Sequence, residues 1–479
     1  MNQLKDPKLL QAAFAPGSRE AEIVVINPSN QQPLAAIKDQ TKDDIDAVIR
    51  AAHAGQPDWA ALSAKQRSVI LRKWFDLITG ATDDLGLIMT LEQGKPLPEA
   101  KGEVAYGASF VEWFGEEAKR AYGDTIPAPV PGRQLITVKQ PIGVAAAITP
   151  WNFPIAMITR KAAPALASGN AFISKPAPNT PLSALAIAEL AYRAGVPKEI
   201  FPVVCSNDAP MVGQMFSQHS LIGKISFTGS TRVGKLLMEQ SASQVQRVSM
   251  ELGGNAAFVV FADADLDKAV AGAIASKFRN AGQTCVCANR FYVADEIYDQ
   301  FVAKFAQAIS ELKVGDGLEP GAQIGPMIDS AAVNKVTELV AQAIAAGATL
   351  EVGGEPHPLG GNFYQPTLLT NVRHENPIMQ QEIFGPVAPV CRFSDVDQVV
   401  RWCNDTEFGL ASYFYTQDVA KAWNVALQLD YGMVGINEGI ISTEVAPFGG
   451  VKQSGVGREG SHQGMDEYLD TKYICMGGL

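Results

Sequence analysis

Apolar residues recur at helical spacing through the first quarter of the chain. Asp43-Asp44-Ile45-Asp46-Ala47-Val48-Ile49 and Val69-Ile70-Leu71-Arg72-Lys73-Trp74-Phe75 gather them on one face, and residues 41–118 read as a run of helices. From Pro141 the period changes. Short apolar runs at 144–148, 171–174, 201–205 and 224–228 are predicted to be buried strands. Between them, 183–193 reads as an alanine–leucine helix stopped by Gly195 at the usual C-terminal glycine position. Strand, helix, strand repetition implies an α/β fold with a parallel sheet covered on both faces. A second series opens with a strand at 256–261 and a helix at 265–278, where Leu266, Val270, Ile274 and Phe278 stack four apart. Residues 123–140 are proline-rich and then alternate, and 468–476 also alternate. Both read as extended excursions suited to subunit contacts.

A chain of 479 residues exceeds one simple core, so two or three domains are expected. The net charge of −11, with no basic block longer than two residues, argues against nucleic acid as a partner. The polar N-terminus carries no apolar signal core, and no apolar run has the length of a membrane span. The cysteines, Cys205, Cys285, Cys287, Cys391, Cys403 and Cys475, are mostly isolated, as in a reducing compartment. The five histidines offer no zinc spacing. A soluble, cytoplasmic, metal-free protein is expected.

Candidate chemistry concentrates in two segments. Glu251-Leu252-Gly253-Gly254 and Gly282-Gln283-Thr284-Cys285-Val286-Cys287 set an acid and a thiol, each beside glycine, 34 residues apart. A thiolate attacks a carbonyl and holds the product as a thioester. A carboxylate activates the water that releases it. Ser226-Phe227-Thr228-Gly229-Ser230-Thr231-Arg232-Val233-Gly234-Lys235 follows a predicted strand and opens a helix, a phosphate-binding arrangement. Its spacing matches most of a P-loop, but Leu236 stands where magnesium needs Ser or Thr. Pro150-Trp151-Asn152-Phe153-Pro154 and Lys175 follow strands at the edge where parallel sheets bind ligands.

Taken together, these segments resemble the aldehyde dehydrogenase superfamily over nearly the whole chain. Glu382-Ile383-Phe384-Gly385-Pro386 and Pro447-Phe448-Gly449-Gly450 continue the family's order of motifs. The resemblance implies an aldehyde dehydrogenase-like fold with three parts. A Rossmann-like cofactor domain would take 1–122, 141–250 and 449–465, and a catalytic domain 251–448. A small oligomerisation arm, 123–140 with 466–479, would support a dimer or tetramer. It further implies Cys285 as nucleophile, Glu251 as general base, and Asn152 with the Cys285 N–H as oxyanion hole. Lys175 and Glu382 would hold cofactor riboses, Phe384 would lie by the nicotinamide, Gly229, Ser230 and Gly234 by the pyrophosphate, and Trp151 would also contact the cofactor.

Within the superfamily the chain is most similar to succinate-semialdehyde dehydrogenases, through Met157-Ile158-Thr159-Arg160-Lys161, Ser276-Lys277-Phe278-Arg279-Asn280 and Gly439-Ile440-Ile441-Ser442. This implies that Arg160, Arg279 and Ser442 hold a distal substrate carboxylate, a task that suits the arginine fork. Many relatives place a 2′-phosphate-repelling Glu three residues after the lysine matching Lys175. Pro178 stands there, so NADP is favoured and NAD stays open. The family's Asn-Gly-Glu-Trp segment is missing around residues 14–23, which bears on a surface strand. Cys287, two residues beyond Cys285, is within disulfide reach, so oxidation is a possible off-switch. The expected reaction is oxidation of succinate semialdehyde to succinate. The alternatives are glutarate semialdehyde, one methylene longer, or a broader aldehyde range; a cofactor-free cysteine hydrolase or a non-catalytic binding protein are rivals from other classes.

Overall fold

The structure, a computed structural model, describes residues 3–20 and 22–478; Met1, Asn2, Ala21 and Leu479 lie outside them. The chain opens with an antiparallel pair, β1 (Glu22–Ile26) and β2 (Pro33–Lys38). Four helices follow: α1 (Lys42–Ala61), α2 (Ala64–Gly80), α3 (Thr82–Gln93) and α4 (Leu97–Glu117). Capping boxes start the first two. Thr41 and Ser63 accept from the backbone N–H groups of Asp44 and Gln66, whose side chains accept from the cap N–H in return. The helical spacing read from the sequence is the inward face: Ile45, Ile49, Leu71 and Trp74 are all completely buried.

The strand–helix alternation then unfolds as β3 (Thr125–Ile126), β4 (Arg133–Pro141), β5 (Val144–Ile148), α5 (Ala156–Ala167), β6 (Ala171–Lys175), α6 (Pro181–Ala194), α7 (Ala209–Gln218), β7 (Lys224–Thr228), α8 (Thr231–Ser241) and β8 (Arg247–Glu251). Gly195 ends α6 in the left-handed conformation, at φ +116°. Strands β6, β5, β7 and β8 lie side by side, all parallel. The strand expected at 201–205 is reduced to one bridge, Val203 against Ser174. Pro202 removes a donor from that ladder, so the run stays an irregular edge despite its apolar composition.

A second unit carries β9 (Ala256–Val260), α9 (Leu266–Phe278), β10 (Ala288–Ala294), α10 (Tyr298–Ser310), α11 (Ser330–Ala345), β11 (Thr349–Val352), β12 (Thr367–Thr370), β13 (Val387–Phe393), β14 (Ala411–Tyr415) and β15 (Met433–Ile436). Its seven strands run in the order β11-β12-β13-β10-β9-β14-β15, parallel except at β11. On α9, Val270 and Phe278 are buried while Leu266 and Ile274 pack half-buried on the same core. The chain then returns to the first sheet as β16 (Gly455–Val456), antiparallel to β8. It ends in β17 (Leu469–Gly477), which pairs along the whole of β4, from Leu469 opposite Pro141 to Gly477 opposite Arg133. The two alternating segments of the sequence are therefore partners, with β3 completing a three-stranded sheet.

This layout positions the chemistry. Asn152, Lys175, Gly229 and Glu251 all stand at or just beyond the C-terminal ends of β5, β6, β7 and β8. Only four residues separate Glu251 from the start of β9, so that edge abuts the second sheet. The core beneath depends on large side chains such as Trp74, whose indole N–H donates to the Ile187 carbonyl at 3.1 Å and whose ring sits 5.6 Å from Phe201. Trp74→Ala is expected to cost ~3–5 kcal/mol of stability, read as a lower urea midpoint.

Candidate active site

Glycines bring the motifs together. A Cβ on Gly254 would overlap the carbonyl oxygen of Cys285, and one on Gly282 would overlap that of Gly385. Backbone meets backbone at both places, which only glycine allows. The turn before the thiol is sharp: Asn280 and Ala281 are left-handed at φ +53°, and Gly282 follows at φ +74°. Phe384, on the facing loop, is also left-handed at φ +56°. A non-glycine residue in that region costs roughly 1–3 kcal/mol, supplied here by the surrounding packing.

Between these loops lies a cavity of about 280 Å³. Trp151, Asn152, Gly229, Ser230, Cys285, Glu382 and Phe384, all singled out from the sequence, line it. Trp151 and Phe384 meet edge to face, with ring centres 5.6 Å apart. Ser230 caps α8, so the helix N-terminus opens on the cavity. Glu382 accepts from the Gly254 N–H at 3.0 Å, and burial raises its pKa. Lys335 and Leu252 line the cavity too, without having stood out in the sequence.

Other expected residues lie off this cavity. Gly234 sits against the Leu252 side chain, which fills the space a Cβ would need. Lys175 is buried beside Cys205, and burial lowers its pKa. Pro178 lines a separate cavity of about 490 Å³ with Glu92, Asn179 and Asn207. Ser442 is half-buried on the segment after β15 and lines none of the larger cavities. Cys287 is buried, with its sulfur 3.4 Å from the Lys277 carbonyl oxygen, and both it and Cys285 are free thiols. Joining them would require Cys287 to leave that carbonyl.

Cys285 is half-buried, the one residue between Ala281 and Arg290 that is not fully covered. Desolvation pushes its thiol up to about 12; Arg160 and Arg279 pull it down, while Glu382 and Glu251 oppose them. Glu251 is buried, its Oε2 has no partner among the described residues, and burial with the nearby Glu459 carboxylate holds its pKa well above the ordinary value.

Arg160 and Lys161 arise from α5, a helix buried at every position. Both form ion pairs with Glu459. The Arg160 guanidinium also lies 4.4 Å from the Phe448 ring centre, and its Nη2 has no acceptor among the described residues. Arg279 packs 5.3 Å from the Phe153 ring centre and forms no ion pair among the described residues. Lys161 and Glu459 were not singled out from the sequence. The one signal was adjacency, Lys161 to Arg160 and Glu459 to the final glycine-rich stretch.

The aldehyde dehydrogenase family profile matches residues 14–474. The chain belongs to that family. It is thereby an oxidoreductase. It is 55% identical to the NADP(+) succinate-semialdehyde dehydrogenase of Escherichia coli K12, over 99% of this chain and 98% of that one. A glutarate-semialdehyde dehydrogenase of Pseudomonas aeruginosa is 54% identical, with both chains fully covered. The crystal structure of succinate-semialdehyde dehydrogenase from Burkholderia pseudomallei superposes with a TM-score of 0.96 at 53% identity, covering 99% of this chain and all of the other. Membership places the aldehyde dehydrogenase fold, expected from the motifs, on firm ground. Among the described residues no helix is long and apolar enough to cross a membrane.

Below a pKa of about 12 the thiolate fraction grows tenfold with each unit that the pH rises. Iodoacetamide labelling of Cys285 in the cofactor-free protein, followed by peptide mass spectrometry, is therefore expected to accelerate about 10-fold per unit between roughly pH 7 and 9. A plateau inside that window would show a thiolate already formed.

Proposed function

We propose that this chain oxidises succinate semialdehyde to succinate, with NADP favoured over NAD as hydride acceptor. The observation that carries the substrate is a pair of arginines packed on aromatic rings, Arg160 against Phe448 and Arg279 against Phe153. A buried N–H without an acceptor is costly, and Arg160 Nη2 is one. A substrate carboxylate is an acceptor of matching charge, and Ser442 is proposed as a further donor. The similarity to enzymes named for succinate and glutarate semialdehyde supports the same reading.

The residues present fit a nicotinamide dinucleotide. The open N-terminus of α8 at Gly229 and Ser230, with Gly234 behind it, suits a pyrophosphate, and the buried Thr228 hydroxyl beside it lacks a partner. Lys175 and Glu382 are proposed to hold riboses, with Trp151 and Phe384 by the nicotinamide. Pro178 presents no carboxylate against a 2′-phosphate, and the relative in E. coli is named for NADP(+).

In the proposed mechanism Cys285 releases its proton to solvent water, and the resulting thiolate sulfur bonds to the aldehyde carbon as the carbonyl π bond opens. The developing oxyanion is met by the Asn152 amide and the Cys285 N–H. Asn152 donates one amide hydrogen to the Gln283 carbonyl at 3.0 Å, which leaves the other for the oxyanion. The bound dinucleotide supplies the hydride acceptor. Cys285 then carries a thioester; Glu251, acting as the carboxylate after losing its own proton to solvent, takes a proton from water, and attack by that water breaks the C–S bond and releases the acid.

We further propose 1–122, 141–250 and 449–465 as the cofactor domain, 251–448 as the catalytic domain, and 123–140 with 466–479 as an arm that joins subunits in the cytoplasm. Ile126, Tyr473 and Met476 are exposed on the three-stranded sheet, which supports a dimer or tetramer.

The test is appearance of reduced-nicotinamide absorbance with succinate semialdehyde, glutarate semialdehyde and propanal, using NADP and NAD in parallel. Fastest turnover of succinate semialdehyde with NADP is expected. Arg279→Ala is expected to raise KM for that substrate by about 30-fold or more and to spare propanal, because only the former loses a charged contact. Propanal as the preferred substrate would remove the carboxylate site; the longer semialdehyde as the preferred one would assign glutarate, a difference of about 1–3 kcal/mol.

A further inference from the structure

A second buried charge cluster lies behind the oxyanion donor. Lys95, between α3 and α4, is completely buried with its partner Glu103 on α4, at 2.5 Å. The same ammonium donates to the backbone carbonyl of Asn152 at 2.8 Å and stands 3.9 Å from the Phe153 ring centre. Glu103 uses its other oxygen to accept from the N–H groups of Ile155 and Ala156, at 2.9 and 3.3 Å, where α5 begins. The Lys95–Glu103 pair therefore grips the turn on both sides of Phe153.

That carbonyl has a second donor. The Asn280 amide reaches Asn152 O at 3.0 Å and Gln283 O at 3.2 Å. Gln283 O also accepts from the Asn152 side chain, so one amide ties the backbone of the oxyanion donor to the loop that carries Cys285. Asn280 is held in turn by Gln93, whose Nε2 donates to its Oδ1 at 2.9 Å and whose Oε1 accepts from the Lys95 N–H at 3.0 Å. The ring of contacts closes: Lys95, Gln93, Asn280, Asn152 and back to Lys95. Every member is buried.

We propose that Lys95 and Asn280 are positioning residues that set the distance between the Asn152 amide and Cys285 by fixing the Asn152 carbonyl from two directions. An oxyanion donor works only when it is already aimed at the place where charge develops. An error of about 1 Å there costs on the order of 100-fold in rate. The cluster touches no reacting atom and acts by placing Asn152 relative to the Gln283 carbonyl, so the inference rests on Asn152 serving as the oxyanion donor.

A double-mutant cycle separates this from simple structural support. The substrate is propanal, which needs no carboxylate site. Asn280→Ala removes one donor and leaves the buried ion pair intact. The paired change Lys95→Met with Glu103→Gln removes the other donor without stranding a charge, so one variant still reports if the other does not fold. Each is expected to lower kcat by about 10- to 100-fold, with cofactor affinity measured by fluorescence unchanged. In an Asn152→Ala background, itself slower by about 100-fold or more, neither is expected to lower kcat further. Equal losses in both backgrounds, or no loss in the native one, would overturn the inference. Full activity of Asn152→Ala would instead overturn the role given to Asn152.

Discussion

The site depends on two places where backbone touches backbone. Gly254 against the Cys285 carbonyl and Gly282 against the Gly385 carbonyl let three loops from two sheets converge without an intervening side chain. A Cβ at either point would push the Cys285 segment away from the end of β8, where Glu251 stands. The left-handed residues Asn280, Ala281 and Phe384 belong to the same constraint. They turn the loops sharply enough for the contact, and the packed surroundings hold them in a conformation they would leave if free.

Charge burial is the second organising feature. Helix α5 is buried around its whole circumference, yet it carries Arg160 and Lys161, and Lys95 is enclosed nearby. Removing an ion from water costs several kcal/mol even after relaxation. Glu459 and Glu103 offset that cost by pairing with these cations. The electrostatic surroundings of Cys285 and Glu251 are thereby set by fixed protein groups, and desolvation is the largest influence on both, raising the thiol and the carboxyl above their ordinary values. Around the reactive sulfur the cations lower the pKa and the carboxylates raise it, a balance that any arriving charge shifts.

Much of the architecture was legible along the chain. Helical periodicity in 41–118 marks the faces that are buried, Gly195 ends its helix in the left-handed conformation, and the alternating segments pair as β4 and β17. Run 201–205 misled because its apolar composition is that of a strand while Pro202 breaks the hydrogen-bond ladder. Seven of the singled-out residues line one cavity, because short glycine-bearing motifs carry their local geometry with them. Glu251, Arg160, Arg279, Cys287, Gly234, Lys175, Pro178 and Ser442 are not among its lining residues, since position in a motif says nothing of which side of a loop a residue faces.

The sequence by itself determined the family, the nucleophile and acid candidates, and the change from helices in 41–118 to strand–helix alternation after Pro141, because these rest on local spacing and residue type. Only the tertiary structure decided which charges meet. Lys161 pairs with Glu459 across 298 residues, and Lys95 reaches the Asn152 carbonyl across 57. Such contacts leave no period or motif in the chain. They exist because helices and sheet edges distant in sequence enclose a common space, where a buried cation must find an acceptor and only folding supplies one.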